Sequence, residues 1–195
     1  MEHYFSEKPE SEYREKEIII NIKGTDFKFV TASGVFSYGK LDRGTQVLAE
    51  GIDFDKAKSF LDLGCGWGFL GIYARILVPS VVMVDINERA LKLARRNCKL
   101  NKMKCEVLKS DGFSSLKGRK FDIIATNPPN HAGKKLIMTW IEEAKNYLVA
   151  GGKFYIVCKT RLGAKAYQEF MEEIFGNAKI VNRGSGYKVI LSKNL

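Results

Sequence analysis

Long apolar runs are missing from this chain of 195 residues: no stretch approaches the roughly 20 residues that a membrane-spanning helix requires. The opening residues, MEHYFSEKPESEYREKE, are polar and mostly acidic, unlike the basic and then apolar pattern of a secretory signal. Four cysteines, Cys65, Cys98, Cys105 and Cys158, include no C-x-x-C pair, so neither a zinc site nor a disulfide framework is expected. Internal repeats and low-complexity linkers are lacking too. These absences point to one globular domain in a reducing, cytoplasmic setting, with no metal and no membrane partner. A hydrophobic content of 45% is enough to bury a full core. Nothing in the pattern sets an oligomeric state.

Acidic charge is also short. The net charge is +10, although the first 17 residues hold six Glu against three basic residues, which leaves +13 on the other 178. Such an excess favours a polyanion, because Lys and Arg displace the counterions condensed on a phosphate backbone.

What is present is alternation. Residues 1–16 read as a polar tail and 17–195 as a single domain. Within 17–32, IIINI (18–22) and FKFVTA (27–32) flank the turn-rich Lys23-Gly24-Thr25-Asp26, which predicts a β-hairpin. A glycine-rich segment follows, leading into a short helix around Gln46–Glu50. SFLDLG (59–64), VVMVDI (81–86), CEVLKSD (105–111), FDIIATN (121–127) and KFYIVCK (153–159) then read as strands. Helices are expected at 69–77, after the N-cap Asn87, and across 134–148. That order calls for a parallel sheet with helices on both faces. After a helix near 163–174, NAKIVNR (177–183) and YKVILSK (187–193) are joined by Gly184-Ser185-Gly186. A connection that short permits only an antiparallel pair. The expectation is an α/β fold with a mostly parallel seven-stranded sheet, an antiparallel last strand, and an N-terminal hairpin.

The strongest local signal is LDLGCGWGFLG (61–71), in which Gly64, Gly66 and Gly68 leave a strand and open a helix. Glycines there let the backbone pass close to a ligand. Gly66 to Gly71 also satisfies G-x-G-x-x-G, with Asp85 at a suitable distance for a ribose. Two details oppose a dinucleotide. The glycine directly after the strand is Gly64, so the match is out of phase, and Asp62 would repel a pyrophosphate while attracting a sulfonium and an amino group.

D-x-G-x-G-x-G followed by an acid at the end of the next strand resembles the class I S-adenosylmethionine-dependent methyltransferases, which have a Rossmann-like fold. The resemblance implies S-adenosyl-L-methionine as cofactor. It places Asp62, Gly64, Cys65, Gly66 and Gly68 along it, Asp85 and Ile86 at its ribose, and Asp111 and Gly112 at its adenine. Any one of these acids alone would read as a helix cap; three at successive strand ends read as a site.

Asn127-Pro128-Pro129-Asn130 follows the fourth strand of the alternation. In the same family N-P-P-x belongs to enzymes that methylate a planar nitrogen on a base or an amide. Such a nitrogen has its lone pair delocalised and is a poor nucleophile. The side-chain carbonyl of Asn127 and the backbone carbonyl of Pro128 would each accept one of its N–H groups, and Pro129 would stiffen the pair. Two fixed acceptors aim the lone pair at the methyl group, so the work is positioning and electrostatic. Asn127 also borders the cofactor in this family. The fourth position is often aromatic there and is Asn130 here, so stacking on a target base would fall to Phe36 or Tyr38. His131 is a candidate proton relay or phosphate contact. A cytosine-C5 mechanism needs a cysteine at the target; none lies in this loop, and Cys158 reads as core.

SGVFSYGKLDRGTQVL (33–48), NPPNHAGK (127–134) and FGNAKIVNRGSGYKVILSK (175–193) together resemble the "methyltransferase small" group, whose characterised activity is guanine-N2 methylation of small-subunit ribosomal RNA. The resemblance implies that residues 33–50 cover the pocket, with Phe36, Lys40, Asp42 and Thr45 lining it. Lys134, Lys135, Lys159 and Arg161 would clamp phosphates along the same sheet edge. The implied function is an RNA guanine methyltransferase acting on structured RNA, with guanine-N2 of small-subunit rRNA favoured. The alternatives are a tRNA guanine enzyme acting at N2 or N7 and a protein-glutamine N-methyltransferase, which the basic body disfavours. An RNA-binding module with a vestigial pocket is disfavoured by the intact Asp62, Asp85 and Asn127.

Overall fold

The computed structural model describes residues 12–129 and 133–195. A two-stranded hairpin, β1 (Glu15–Ile22) and β2 (Thr25–Ala32), precedes helix α1 (Arg43–Gly51). The alternation follows as β3 (Ser59–Leu63), α2 (Phe69–Arg75), β4 (Ser80–Asp85), α3 (Glu88–Leu100), β5 (Glu106–Lys109), β6 (Phe121–Thr126), α4 (Lys134–Ala144), β7 (Leu148–Lys159), α5 (Ala164–Phe175), β8 (Lys179–Gly184) and β9 (Tyr187–Lys193). The seven strands β3 to β9 lie in the order β5-β4-β3-β6-β7-β9-β8. The first five pair in parallel, and β9 runs antiparallel to both β7 and β8. This is a Rossmann-like methyltransferase sheet, as the alternation predicted.

Both faces are covered, which is why the central strands are apolar almost throughout. Phe60 and Met83 pack with Phe29, Leu48, Ile72 and Leu93 under the hairpin and α1, α2 and α3. Leu61, Ile124 and Phe154 point the other way, against Phe113, Ile141 and Met171 beneath α4 and α5. The strand order reverses around β3, whose neighbours β4 and β6 lead away in opposite directions. Such a reversal leaves a crevice outside the carboxyl ends of the strands, where open α/β sheets bind ligands.

Three elements begin two or more residues before the sequence expectation, and α4, expected to reach 148, ends at Ala144. The hairpin starts at Glu15 rather than 17, and the chain is already anchored before it: the Arg14 N–H donates to Ser33 Oγ at 3.0 Å, and Arg96 pairs with Glu15 at 2.8 Å. Helix α1 begins at Arg43, three residues early, despite a glycine in its first turn. The tertiary fit selects that glycine, since a Cβ on Gly44 would lie 2.8 Å from the Tyr187 ring. Strand β7 begins at Leu148, five residues early, by passing through Ala150-Gly151-Gly152. Its pairing with β6 slips between Phe121 and Ile123, a bulge that Gly151 accommodates at φ +75°.

Asn97 holds the hairpin to the body. It is fully buried on α3, donates from Nδ2 to the carbonyls of Val30 (2.9 Å) and Trp67 (2.8 Å), and accepts the Val30 N–H at 2.8 Å. One side chain thereby satisfies backbone groups of both the hairpin and the glycine loop. Among the described residues no helix is long and apolar enough to cross a membrane.

Candidate active site

Two adjoining hollows open at the carboxyl ends of β3, β4 and β6, one of about 160 Å³ and a narrower one of about 30 Å³. Phe36, Gly64, Gly66 and Asn127 border both. The larger is walled by Val35, Ile86, Leu136 and Trp140, with Asp85, Ser110, Asp111 and Gly112 along its rim. The narrower runs between Asp42, Thr45 and the glycine loop, with Asp62 and Cys65 on it.

Asp85 closes β4 and is aimed by backbone. The Gly66 N–H donates to its Oδ2 at 2.8 Å and the Asn87 N–H to its Oδ1 at 2.9 Å. Burial pushes its pKa above the ordinary carboxylate value, and the N–H groups of Asn87, Gly66 and Ile86 pull it back. Asn87 in turn caps α3, accepting from the N–H groups of Arg89 and Ala90. Gly66, at φ +54°, has open space where a Cβ would project, as a site meant to be approached by a ligand requires.

Asp62 is buried on the central strand, and its Oδ2 accepts the Gly71 N–H at 2.8 Å. Desolvation pushes its pKa up to about 7; the Gly71 N–H opposes this and the Asp85 charge adds to it. The contact needs α2 to lie close on β4, and a Cβ on Gly71 would collide with the Met83 sulfur. The Cys65 thiol is held well above its usual value by burial first and then by the charges of Asp85 and Asp62, so it is no nucleophile. Burial likewise pushes Cys158 up to about 12.

After β5, Ser110 Oγ donates to the Gly112 carbonyl at 2.8 Å and tightens the turn that carries Asp111. A Cβ on Gly112 would sit 2.8 Å from Trp140 Nε1, so this glycine is what admits the indole to the wall. Trp140 was not singled out from sequence. Its signal was the apolar spacing Leu136, Ile137, Trp140, Ile141 and Ala144 on α4, which reads as core.

Asn127 stands at the junction of the hollows. Its Nδ2 donates to Asp42 Oδ2 at 2.9 Å and to Thr45 Oγ1 at 2.8 Å. Among the described residues its Oδ1 accepts no hydrogen bond. Segment 33–45 is pinned at its other end as well, where Asn87 Nδ2 donates to the Gly34 carbonyl at 2.9 Å and Arg89 Nη1 to the Ser33 carbonyl at 2.7 Å. The segment thus bridges the Asp85 corner and the Asn127 corner, with Val35 and Phe36 facing the larger hollow.

The structure gathers Asp62, Gly64, Cys65, Gly66, Asp85, Ile86, Asp111, Gly112, Asn127, Pro129 and Phe36 around the two hollows. Gly68 lines neither; at φ +90° it opens α2 and packs on Ala94 and Met83. Pro128 is buried and borders neither hollow. Tyr38 and Lys40 are exposed on the outside of segment 33–45 and border neither hollow, which leaves Phe36 as the aromatic at the junction. Lys134 and Lys135 are exposed at the start of α4. Lys159 and Arg161 line a separate shallow groove with Ser185 and Tyr187. Asn130 and His131 lie outside the described residues. Among those residues no group of three metal-ligating side chains converges.

The chain matches the methyltransferase small domain over residues 26–191. It is 33% identical to YbxB of Bacillus subtilis, an uncharacterized protein, over 100% of this chain and 99% of that one. It is 34% identical to ribosomal RNA small subunit methyltransferase C of Psychromonas ingrahamii over 88% of this chain and 50% of that protein. In structure it superposes on the T. thermophilus 16S rRNA N2 G1207 methyltransferase in complex with AdoMet and guanosine, with a TM-score of 0.85 and 27% identity, covering 96% of this chain and 52% of the other. The chain spans about half the length of these ribosomal RNA relatives. With its glycine loop, its acid-tipped strands and its N-P-P turn on that frame, the chain belongs to the methyltransferase small domain family of S-adenosylmethionine-dependent methyltransferases.

Proposed function

We propose that the protein methylates the exocyclic N2 of a guanine in structured RNA, with small-subunit ribosomal RNA as the substrate. The observation that carries this reading is Asn127, followed by Pro128-Pro129, at the junction of the two hollows with a carbonyl that no described neighbour uses.

The larger hollow fits the cofactor. Asp85 has the geometry to accept from a ribose diol, and Ile86, Leu136 and Trp140 offer an apolar slot for a purine ring beside the polar turn at Asp111. The cofactor supplies an electrophilic methyl group on a sulfonium. Asp62, ionised, favours that cationic end over a neutral one. Asn127 Oδ1 and the Pro128 carbonyl each accept an N–H of the target, so that its lone pair turns out of the ring plane toward the methyl group. Phe36 offers a ring face for the base.

Two acceptors suit an NH2 group. They would repel the in-plane lone pair of guanine N7, which carries no hydrogen, and this favours N2 over N7. An amide NH2 would fit the acceptors equally well. The excess of +13 outside the first 17 residues favours a polyanion over a protein loop. A base within a duplex must be flipped out or already unpaired to reach Asn127.

The test is incubation with methyl-labelled S-adenosylmethionine and separated rRNA, tRNA and ribosomal protein, followed by nucleoside analysis. N2-methylguanosine in rRNA is the expected product. N2-methylguanosine in tRNA alone would move the substrate to tRNA, and label in protein alone would overturn the RNA reading.

A further inference from the structure

The geometry points to Asp42 and Thr45 as the positioning pair that decides which end of the Asn127 amide faces the target nitrogen. This rests on the proposed chemistry at Asn127 and adds to it. An asparagine amide has two ends of nearly equal size, and rotation about its terminal torsion is soft. Turned one way, Asn127 presents an acceptor to the substrate N–H. Turned the other way it presents a donor, and the alignment is lost.

Both neighbours enforce the first orientation. Asp42 is a carboxylate and can only accept, so it takes the amide NH2 at 2.9 Å. Thr45 directs its hydroxyl toward the same Asp42 Oδ2 at 3.4 Å, which leaves its lone pairs for the amide NH2 at 2.8 Å. Both amide protons are thereby used, and among the described residues Oδ1 is the end left over. The pair is itself rigid. Asp42 caps α1 by accepting the Thr45 N–H at 2.9 Å, and α1 is fixed by the buried Val47 and Leu48 and by Asn182, which donates to the Val47 carbonyl at 2.9 Å.

The variants that test this spare the helix. Asp42→Ser keeps an N-cap oxygen but is too short to reach Asn127, and Thr45→Val removes the hydroxyl at constant shape. Each should lower kcat for methyl transfer about tenfold and the pair about 100-fold, while S-adenosylmethionine affinity by calorimetry stays within about twofold. Thr45→Ser should restore the rate. In an Asn127→Ala background the same substitutions should cost nothing more, because they act only through that amide. Independent losses in that background, or a matching loss of cofactor affinity, would show the pair to be merely structural.

A second measurement needs no substrate. In the 15N spectrum of the free protein, the Asn127 side-chain protons should be protected from exchange, and exposed in the double variant. An unprotected amide in the wild type overturns the inference whatever the substrate is. A protected amide in a protein that labels no RNA would defeat the substrate reading and leave the orientation intact.

Discussion

The two corners of the site are built by different means. At the proposed cofactor corner, Asp62 and Asp85 are oriented by backbone N–H groups: Asp62 by that of Gly71, nine positions on, and Asp85 by those of Asn87, two positions on, and Gly66, 19 positions back. At the target corner, Asn127 is oriented by side chains 82 and 85 positions away. A backbone donor is supplied by any residue that keeps the turn, so these contacts depend on chain conformation rather than on the donor's side chain. The target corner depends on three side chains at once and on the packing that brings them together. The proposed cofactor and target roles should therefore be separable by mutation, except along segment 33–45, which is tied to both corners.

The largest effect that would sharpen this contrast is a pH dependence at Asp62. Its folded pKa is raised from 3.8 to about 7, so between those values the native state holds a proton that the unfolded chain has released. Stability contributed by this group is full below about pH 4, falls as pH rises toward 7, and is level above, a loss of up to about 4 kcal/mol. Burial also raises Asp85, which adds to the slope with the same sign. Urea unfolding of the cofactor-free protein across this window should show the decline, and Asp62→Asn should flatten most of it. Cofactor affinity should strengthen over the same range as Asp62 ionises.

At the other corner, Asn127→Ala should lower kcat by about 10²–10³-fold with cofactor affinity retained, as measured by turnover and calorimetry side by side. A parallel loss of cofactor binding would erase the distinction between the corners. Asp85→Ala should do the reverse. Losing charged hydrogen bonds to the ribose costs about 2 kcal/mol of affinity, while the rate at saturating cofactor stays near that of the wild type. The smallest effect lies away from both corners. Replacing Lys159 and Arg161 with Ala should weaken RNA binding a few-fold and reduce the salt slope by about one to two units without changing the methylated atom. An unchanged slope would remove the groove beside Tyr187 from the RNA path.

Much of the cofactor corner was legible because its causes are local. Asn87 announces a helix start, Asp85 sits two residues before it, and three glycines after an apolar strand have few other uses. The sheet was legible from alternation, and its antiparallel end from the three-residue link at Gly184-Ser185-Gly186. Other features gave no local sign. Asn97 reads as one more polar residue on an amphipathic helix, yet it holds the hairpin and the glycine loop together. Trp140 reads as core spacing and proves to be a wall of the larger hollow, admitted by a glycine 28 positions earlier. Ala150-Gly151-Gly152 gave no strand signal, and pairing with β6 carries it into a strand through a bulge. Tyr38 and Phe36 looked equivalent, two residues apart; only the course of segment 33–45 turns Phe36 inward and leaves Tyr38 outside.

The sequence by itself determined the order of strands and helices along the chain, the glycine loop after β3 and the acids that tip the strands. Each of those follows from periodicity, capping or glycine conformation within a few residues. Only the tertiary structure decided which way Asn127 faces, because the two ends of an amide differ by their hydrogen-bond partners alone. Those partners, Asp42 and Thr45, reach it only once α1 is packed against β7, β8 and β9.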